Sequence, residues 1–283
     1  MSAGAKDPGR VETAGGDAYR RRSAAERIAG AAARLLPEGT PRRWLRAAWR
    51  ATLGRRGVVS RLPGGEAVRL SAACRFVTWN PAEYHAFRAA VRPGAMALDV
   101  GANVGAYALL LGRWVEPGGR VYAFEPSPET FAALSRHLAL NGLRETVVPV
   151  AAAVSHAAGR ATLSGGGVSG ANRLDPSGSG PSVETVSLDD FCAREGIVPS
   201  FIKIDVEGAE LDVLKGARET IRRAGPGLAL FVEMHPTLWA EMGIAAADLR
   251  AELELQGLRA EPLREGVADP WRLEGECLRL VRR

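Results

Sequence analysis

The run from Met96 to Glu125 constrains this chain more than any other feature. Met96 to Val100 is a short apolar strand, Gly101 and Gly105 bracket a tight turn, and Ala106 to Trp114 consists of good helix formers. Arg120 to Phe124 is a second strand, closed by Glu125. That order is a βαβ nucleotide-binding unit. Gly101 allows the backbone to turn sharply beside a ligand, Gly105 lets the helix start close to the strand, and an acid at the end of the second strand can accept from both hydroxyls of a ribose. Two details argue against a dinucleotide. The turn reads Gly-Ala-Asn-Val-Gly, without a second glycine two residues after the first, where a pyrophosphate approaches closely, and Asp99 sets a negative charge at its mouth. A ligand that presents an amine there with an adenosine behind it fits better, and S-adenosylmethionine is such a ligand.

From residue 95 onward strands and helices alternate. Strands are predicted near 96–100, 120–125, 147–151, 200–205, 228–233, 258–263 and 276–281, and helices near 104–114, 127–141, 187–195, 209–223 and 245–256. Such alternation builds a mostly parallel sheet covered by helices on both faces, with ligands at the carboxyl ends of the strands. Asp99, Glu125, Asp205, Glu233 and His235 all fall at such ends. Ser164 to Ser182, rich in Gly, Ser and Pro, interrupts the pattern and reads as a long flexible loop beside the site, either a lid or a solvated connection. Residues 58–70 alternate around Pro63-Gly64-Gly65, which indicates a hairpin, and 58–94 as a whole reads as hairpin and helical lead-in to a body at 95–283.

With 283 residues and 46% apolar content the chain can bury a full α/β core. Its net charge of +5 is localised: residues 1–60 carry one Lys and twelve Arg against five acids, a net of +8, which leaves the rest at −3. The body is not basic, so nucleic acid is not an expected partner. Residues 1–57 read as a basic extension, disordered over 1–22 and helical over 23–36 and 41–53. In the second helix Thr40 is an N-cap, Pro41 the first helical residue, and Trp44, Leu45, Ala48, Trp49 and Leu53 share one face, with Arg42, Arg43, Arg46 and Arg50 outside it. A basic amphipathic helix of this kind has two uses: docking on the main domain or on a second subunit of a homodimer, or contacting a membrane surface or carrier protein. No apolar run approaches the ~18–20 residues of a membrane span and the first ten residues lack a secretory apolar segment, so a cytoplasmic location is expected. Cys74, Cys192 and Cys277 are odd in number and far apart, and read as small buried residues.

Two further blocks carry chemistry. In Phe-Ile-Lys-Ile-Asp-Val-Glu-Gly-Ala-Glu, residues 201–210, Lys203 and Asp205 point to one side of an otherwise apolar strand, and a buried charge must be paired or functional. Either they form a structural ion pair, or Asp205 lies at the edge of the cofactor's methyl group with Glu207 reaching substrate or a metal. In Leu-Phe-Val-Glu-Met-His-Pro, residues 230–236, Glu233 and His235 alternate onto one face. An imidazole can remove a proton near neutral pH, although His235 could equally be a satisfied loop histidine. His85, His137 and His156 have no evident partners and read as surface residues.

Taken in order, Asp-Val-Gly-Ala-Asn-Val-Gly, Phe-Glu-Pro-Ser-Pro, Ala-Ala-Ala-Val-Ser (151–155), Val-Ser-Leu-Asp-Asp (186–190), Ile-Lys-Ile-Asp-Val-Glu-Gly-Ala-Glu with Val-Leu-Lys-Gly-Ala (213–217), and Val-Glu-Met-His-Pro resemble the FkbM family of S-adenosylmethionine-dependent methyltransferases. The resemblance covers roughly residues 80 to 240. It implies the class I methyltransferase fold, a Rossmann-like seven-stranded sheet whose last strand is antiparallel. It also implies O-methylation, typically of a hydroxyl or carboxyl on a natural product, sugar or lipid. By the same resemblance Asp99, Gly101, Asn103 and Gly105 make the methionine and loop contacts, Glu125 with Pro126 beside it holds the ribose, and Ala152 and its neighbours line the adenine side. Asp205, Glu207, Glu233 and His235 face the acceptor.

Methyl transfer from a sulfonium is an in-line displacement, so the protein mainly supplies alignment and removal of the acceptor proton. His235 or Asp205 is the candidate base, and a carboxyl acceptor would need none. A metal such as Mg²⁺ on Asp205, Glu207 and Glu233 is an alternative that is not part of the expectation. Two rival classes share parts of the pattern. A nicotinamide-dependent oxidoreductase would use the same βαβ unit but lacks its Gly-x-Gly here. A nucleic-acid methyltransferase is suggested only by the basic extension, and Asp205-Val-Glu stands where flipped-adenine enzymes carry Asn-Pro-Pro-Tyr or Asp-Pro-Pro-Tyr.

Overall fold

Side chains alternate across a strand, and in this chain the alternation sorts the apolar residues into two cores. Ala97, Phe201 and Phe231 belong to one cluster, while their strand neighbours Leu98, Ile202, Leu230 and Val232 belong to the other. The sheet between them is seen in a computed structural model that describes residues 10–13, 16–19, 57–74, 76–164, 173, 174, 178, 180–264, 266, 269, 271 and 274–283.

In chain order the strands are β1 (Arg10–Thr13), β2 (Gly16–Tyr19), β3 (Val58–Arg61), β4 (Ala67–Leu70), β5 (Met96–Val100), β6 (Arg120–Phe124), β7 (Val147–Val150) and β8 (Ala153–Val154). They continue with β9 (Gly159–Ser164), β10 (Arg173–Leu174), β11 (Ser182–Val186), β12 (Phe201–Ile204), β13 (Ala229–Met234), β14 (Leu258–Pro262) and β15 (Glu276–Arg282). The helices are α1 (Pro81–Ala90), α2 (Ala106–Trp114), α3 (Pro128–Asn141), α4 (Leu188–Glu195), α5 (Glu210–Lys215), α6 (Arg218–Ala224), α7 (Pro236–Glu241) and α8 (Ala246–Leu255).

The main sheet runs β14, β15, β13, β12, β5, β6, β7. It is parallel except for β15, which pairs antiparallel with both β13 and β14. This is the expected seven-stranded, mostly parallel architecture, with its last strand reversed. Helices cover both faces: α1, α2 and α3 supply Phe87, Leu109 and Leu134 to one core, and α4, α7 and α8 supply Phe191, Trp239 and Leu249 to the other. Phe87 stacks on Phe201 and Phe231 with ring centroids 5.5 and 4.8 Å apart, which docks α1 onto the strands that carry the site. The hairpin of β3 and β4 turns at Pro63-Gly64-Gly65, as expected, and Tyr84 of α1 ties it down by donating to Glu66 at 2.7 Å.

Several expectations change. The helix expected over 209–223 is two helices, because at Gly216 an added Cβ would lie 2.1 Å from the Ser155 carbonyl oxygen, and that approach breaks the run. Within 1–22, read as disordered, β1 and β2 pair as an antiparallel hairpin through backbone bonds that need no apolar period. The helices expected over 23–36 and 41–53, with Trp44 and Trp49, lie outside the described residues. The Ser164–Ser182 loop is strand at its ends: β9 pairs with β10 and β11, and β11 with β8, in a second four-stranded sheet. Most of that loop's interior is also outside the described residues. No helix among the described residues is long and apolar enough to cross a membrane, and the three cysteines are free and buried as expected.

His137 is not a surface residue. It is fully buried in α3, where its Nδ1–H donates to the Val104 carbonyl at 2.7 Å and its Nε2 accepts from the Ser71 amide at 2.9 Å. Only the neutral ring can do both, and burial lowers its pKa from the usual 6.5. The ring joins β4's exit to the turn after β5, two segments that sequence proximity does not connect. His137→Ala should therefore lower unfolding free energy at pH near 7.5 by about 2–4 kcal/mol, through a cavity and two unpaired backbone groups. Because the unfolded chain takes up the proton first, wild-type stability should fall as pH drops below 6.5, and the variant should lose less over that range. Equal denaturation midpoints for the two proteins at both ends of the range would show that these bonds contribute nothing.

Candidate active site

Strand parity and register bring the charges together. Lys203 of β12 lies opposite both Asp99 of β5 and Phe231 of β13, so Asp205 and Glu233, two residues further on, follow on the same face at the carboxyl edge. Lys203 is buried, its Nζ donating to Asp205 Oδ2 at 2.9 Å and lying 3.9 Å from Asp99 Oδ1, with the Tyr107 ring 5.5 Å away. Burial alone would disfavour the ammonium, but Asp205 and Asp99 outweigh it and hold its pKa well above the lysine range.

The turn after β5 explains its glycines. Gly101 has φ +79°, and a Cβ there would sit 1.7 Å from the Asp205 carbonyl oxygen, so the backbones of the two strand ends are in contact. Gly105 starts α2, and the element its bare Cα admits is Leu134 of α3 rather than the strand. Between them Asn103 has φ +50° and donates its amide to Glu125 Oε2 at 2.9 Å, while Glu125 Oε1 accepts from the Ser127 amide at 2.9 Å. Burial pushes the Glu125 carboxyl up to about 7 against the pull of these two amides. Each oxygen keeps a lone pair for a further donor.

A cleft opens on both sides of Gly101. One side is lined by Glu125, Pro126, Ala152, Leu163, Leu174 and Glu207 among others. The other is lined by Cys74, Phe76, Thr78, Asp99, Tyr107 and Lys203 among others. Gly101, Asn103 and Asp205 border both. Of the expected cofactor positions, Asp99, Gly101, Asn103, Glu125, Pro126 and Ala152 border this groove, while Gly105 borders neither half and faces Leu134 instead. Glu233 and His235 border neither half and sit against Asp205 and Glu207 instead.

His235 Nε2 is 3.7 Å from Glu207 Oε2 and 3.9 Å from oxygens of both Asp205 and Glu233. Its Nδ1–H donates to Glu210 Oε1 at 2.7 Å. Glu210 is wholly buried and also accepts from Trp239 Nε1 at 2.6 Å and the Gly208 amide at 3.0 Å. Burial works against the imidazolium, but the Glu210 hydrogen bond, Asp205 and Glu233 prevail and push His235 up to about 9. Burial also raises the carboxyls of Glu207, Glu233 and Glu83, the last reaching in from α1. Donor atoms of Asp205, Glu233 and His235 lie within 4.8 Å of one another, a spacing that a single cation could bridge.

Sequence reasoning did not identify Glu210, Trp239, Glu83 or Tyr107 as parts of this network. Glu210 stands in the first turn of α5, where an acid ordinarily complements the helix dipole, and no local signal points it at a histidine 25 positions away.

Asp99 is fully buried and neither oxygen has a close hydrogen-bond partner; the charge of Lys203 3.9 Å away and a weak pull from the Ala108 amide act on it. Burial first, against the pull of Lys203, raises its carboxyl from 3.8 to about 6. The folded state therefore binds the proton more tightly than the unfolded chain, and that contribution, complete below pH 3.8, is lost as pH rises through about 6. At pH near 8 Asp99→Asn should stabilise the free protein by about 1–3 kcal/mol. If the variant's denaturation midpoint at that pH does not exceed wild type's, Lys203 fully compensates the charge.

Residues 99–260 match the family described as the methyltransferase FkbM domain. The hexuronic acid methyltransferase AglP of Haloferax volcanii is 30% identical over 140 residues, covering 48% of this chain and 54% of that protein. The 31-O-demethyl-FK506 methyltransferase FkbM of Streptomyces tacrolimicus is 32% identical over 161 residues, covering 46% and 62%. The chain thus spans between half and two thirds of the length of these curated relatives. Among solved structures, a SAM-dependent O-methyltransferase from Thermotoga maritima superposes with a TM-score of 0.44 at 14% identity, over 80% of this chain and 77% of that one.

Proposed function

The chain belongs to the FkbM family of methyltransferases, and on that premise we propose that it transfers the methyl group of S-adenosylmethionine to an oxygen of a small hydroxylated molecule. The observation that carries this reading is the groove across Gly101, with a ribose-competent acid on one side and a charged, partly apolar chamber on the other. The cofactor supplies an activated methyl carbon on a sulfonium. Glu125 keeps the turn in place through Asn103 and offers its remaining lone pairs to the ribose, with Pro126 and Ala152 against the adenosine. Asp99 supplies negative charge to the methionine end, backed by Lys203.

An oxygen acceptor accords with the relatives, a hexuronic acid methyltransferase and a 31-O-demethyl-FK506 methyltransferase. The acceptor occupies the chamber lined by Phe76, Tyr107 and Asp205, and its hydroxyl proton leaves towards Asp205, which borders both halves of the groove and stands with Glu207 and Glu233 around His235. With its pKa up near 9, His235 enters as an imidazolium at neutral pH, so it acts by holding those carboxylates together rather than as the initial proton acceptor.

S-adenosylhomocysteine at about 100 times its Kd should stabilise the fold by roughly 2.7 kcal/mol, and NAD at the same concentration should not. A thermal shift with NAD alone would reverse the cofactor assignment. Glu125→Ala should weaken S-adenosylhomocysteine binding by about 10- to 100-fold by calorimetry, since each charge-assisted hydrogen bond to a ribose is worth about 1.5–3 kcal/mol. Unaltered affinity would remove Glu125 from the ribose. Radiolabel transfer from the cofactor to hydroxylated sugars and macrocycles tests the reaction itself: label in an N-methyl product only would displace the oxygen acceptor.

A further inference from the structure

The carboxylates around His235 outnumber the cations. Asp99, Asp205, Glu207, Glu210 and Glu233 face Lys203 and His235, and Lys203 Nζ is already engaged by Asp205 Oδ2. A half-buried excess of negative charge is unfavourable unless protons or a cation join it, and burial already raises the Glu207 and Glu233 carboxyls. The spacing says where. His235 is 6% exposed at its side chain, and its Nε2 makes no hydrogen bond, yet it points at oxygens of Asp205, Glu233 and Glu207 from 3.9, 3.9 and 3.7 Å. These gaps are too long for hydrogen bonds. They suit ligands of one ion, since two donors each about 2.1 Å from a shared metal lie about 3–4 Å apart.

The far side of the ring has the matching arrangement. Nδ1–H is fixed on buried Glu210, which orients the ring and aims Nε2 at the carboxylates, so that an ion entering there displaces the Nε2 proton and takes its lone pair, and Glu210 is itself held by Trp239 and Gly208. Asp205, Glu207 and Glu233 are 27%, 34% and 23% exposed at their side chains, so an ion can enter from solvent. We propose that Asp205 Oδ1, Glu233 Oε1 and His235 Nε2 bind a divalent cation, with Glu207 at its open side. One imidazole with two or three carboxylates suits Mn²⁺ or Mg²⁺, with Zn²⁺ as competitor. In the methyltransferase reading, on which this role rests, the ion would bind the acceptor oxygen and lower the pKa of its hydroxyl.

The test is Mn²⁺ titration of the chelator-treated full-length chain at pH near 8, following the free-ion electron paramagnetic resonance signal, without cofactor or acceptor. One Mn²⁺ per chain is expected, displaced by Mg²⁺ or Zn²⁺. Glu233→Gln and His235→Ala should each weaken it at least 10-fold, and Glu210→Gln, which touches no ion, about 10- to 100-fold. S-adenosylhomocysteine binding by each variant serves as the folding control, and it also separates the two readings. Loss of that binding in wild type, with Mn²⁺ still bound, would sink the methyltransferase assignment and leave the ion site standing. No Mn²⁺, Mg²⁺ or Zn²⁺ binding at millimolar concentration would overturn the ion site, as would Mn²⁺ affinity unaltered in both Glu233→Gln and His235→Ala.

Discussion

The buried ammonium of Lys203 is the interaction on which the site depends. It stands on the central strand of the sheet, opposite Asp99 in register and bonded to Asp205 two residues on. Without it, two carboxylates at the ends of adjacent strands would face each other in an apolar interior. With it, the turns after β5 and β12 can approach until the Gly101 backbone touches the Asp205 carbonyl. That contact forms the floor of the groove, and both halves of the groove are defined from it.

The concentration of charge on one side follows from the period of two. Asp99, Lys203, Asp205 and Glu233 share the face that also carries Ala97, Phe201 and Phe231, so each strand is apolar at its start and charged at its carboxyl end on the same side. The aromatic contact of Phe87 with Phe201 and Phe231 seals the apolar end under α1. The charged end is left to the cleft. Burial then acts on the acids unequally: Asp99 and Glu125 are raised to about 6 and about 7, which prepares a surface that gains by meeting a cationic ligand.

Beneath this layer lies one that is organised by Glu210. A wholly buried carboxylate is costly unless its lone pairs are filled, and His235, Trp239 and the Gly208 amide fill them. The result is a histidine whose orientation is decided from below and whose free nitrogen meets carboxylates above. His137 shows the opposite use of the same side chain: neutral, fully bonded to backbone and structural. The two rings differ in their partners, and the burial of His137 in particular has no signal in its sequence neighbourhood.

Sequence alone determined the order of the seven strands of the main sheet, the carboxyl ends of those strands and so several of the residues that border the cleft, since period two, period 3.6 and glycine turns are local properties. Asp99, Gly101, Asn103, Glu125 and Asp205 were legible for that reason. The hairpin at Pro63-Gly64-Gly65 was legible too. Tertiary structure decided what depends on distant segments meeting: Ser155 splitting a helix at Gly216, Glu210 turning His235 into a charged ring, and His137 joining Ser71 to Val104. Each of these is a hydrogen bond or close approach between residues 25 or more positions apart, whose existence depends on packing that no local pattern encodes.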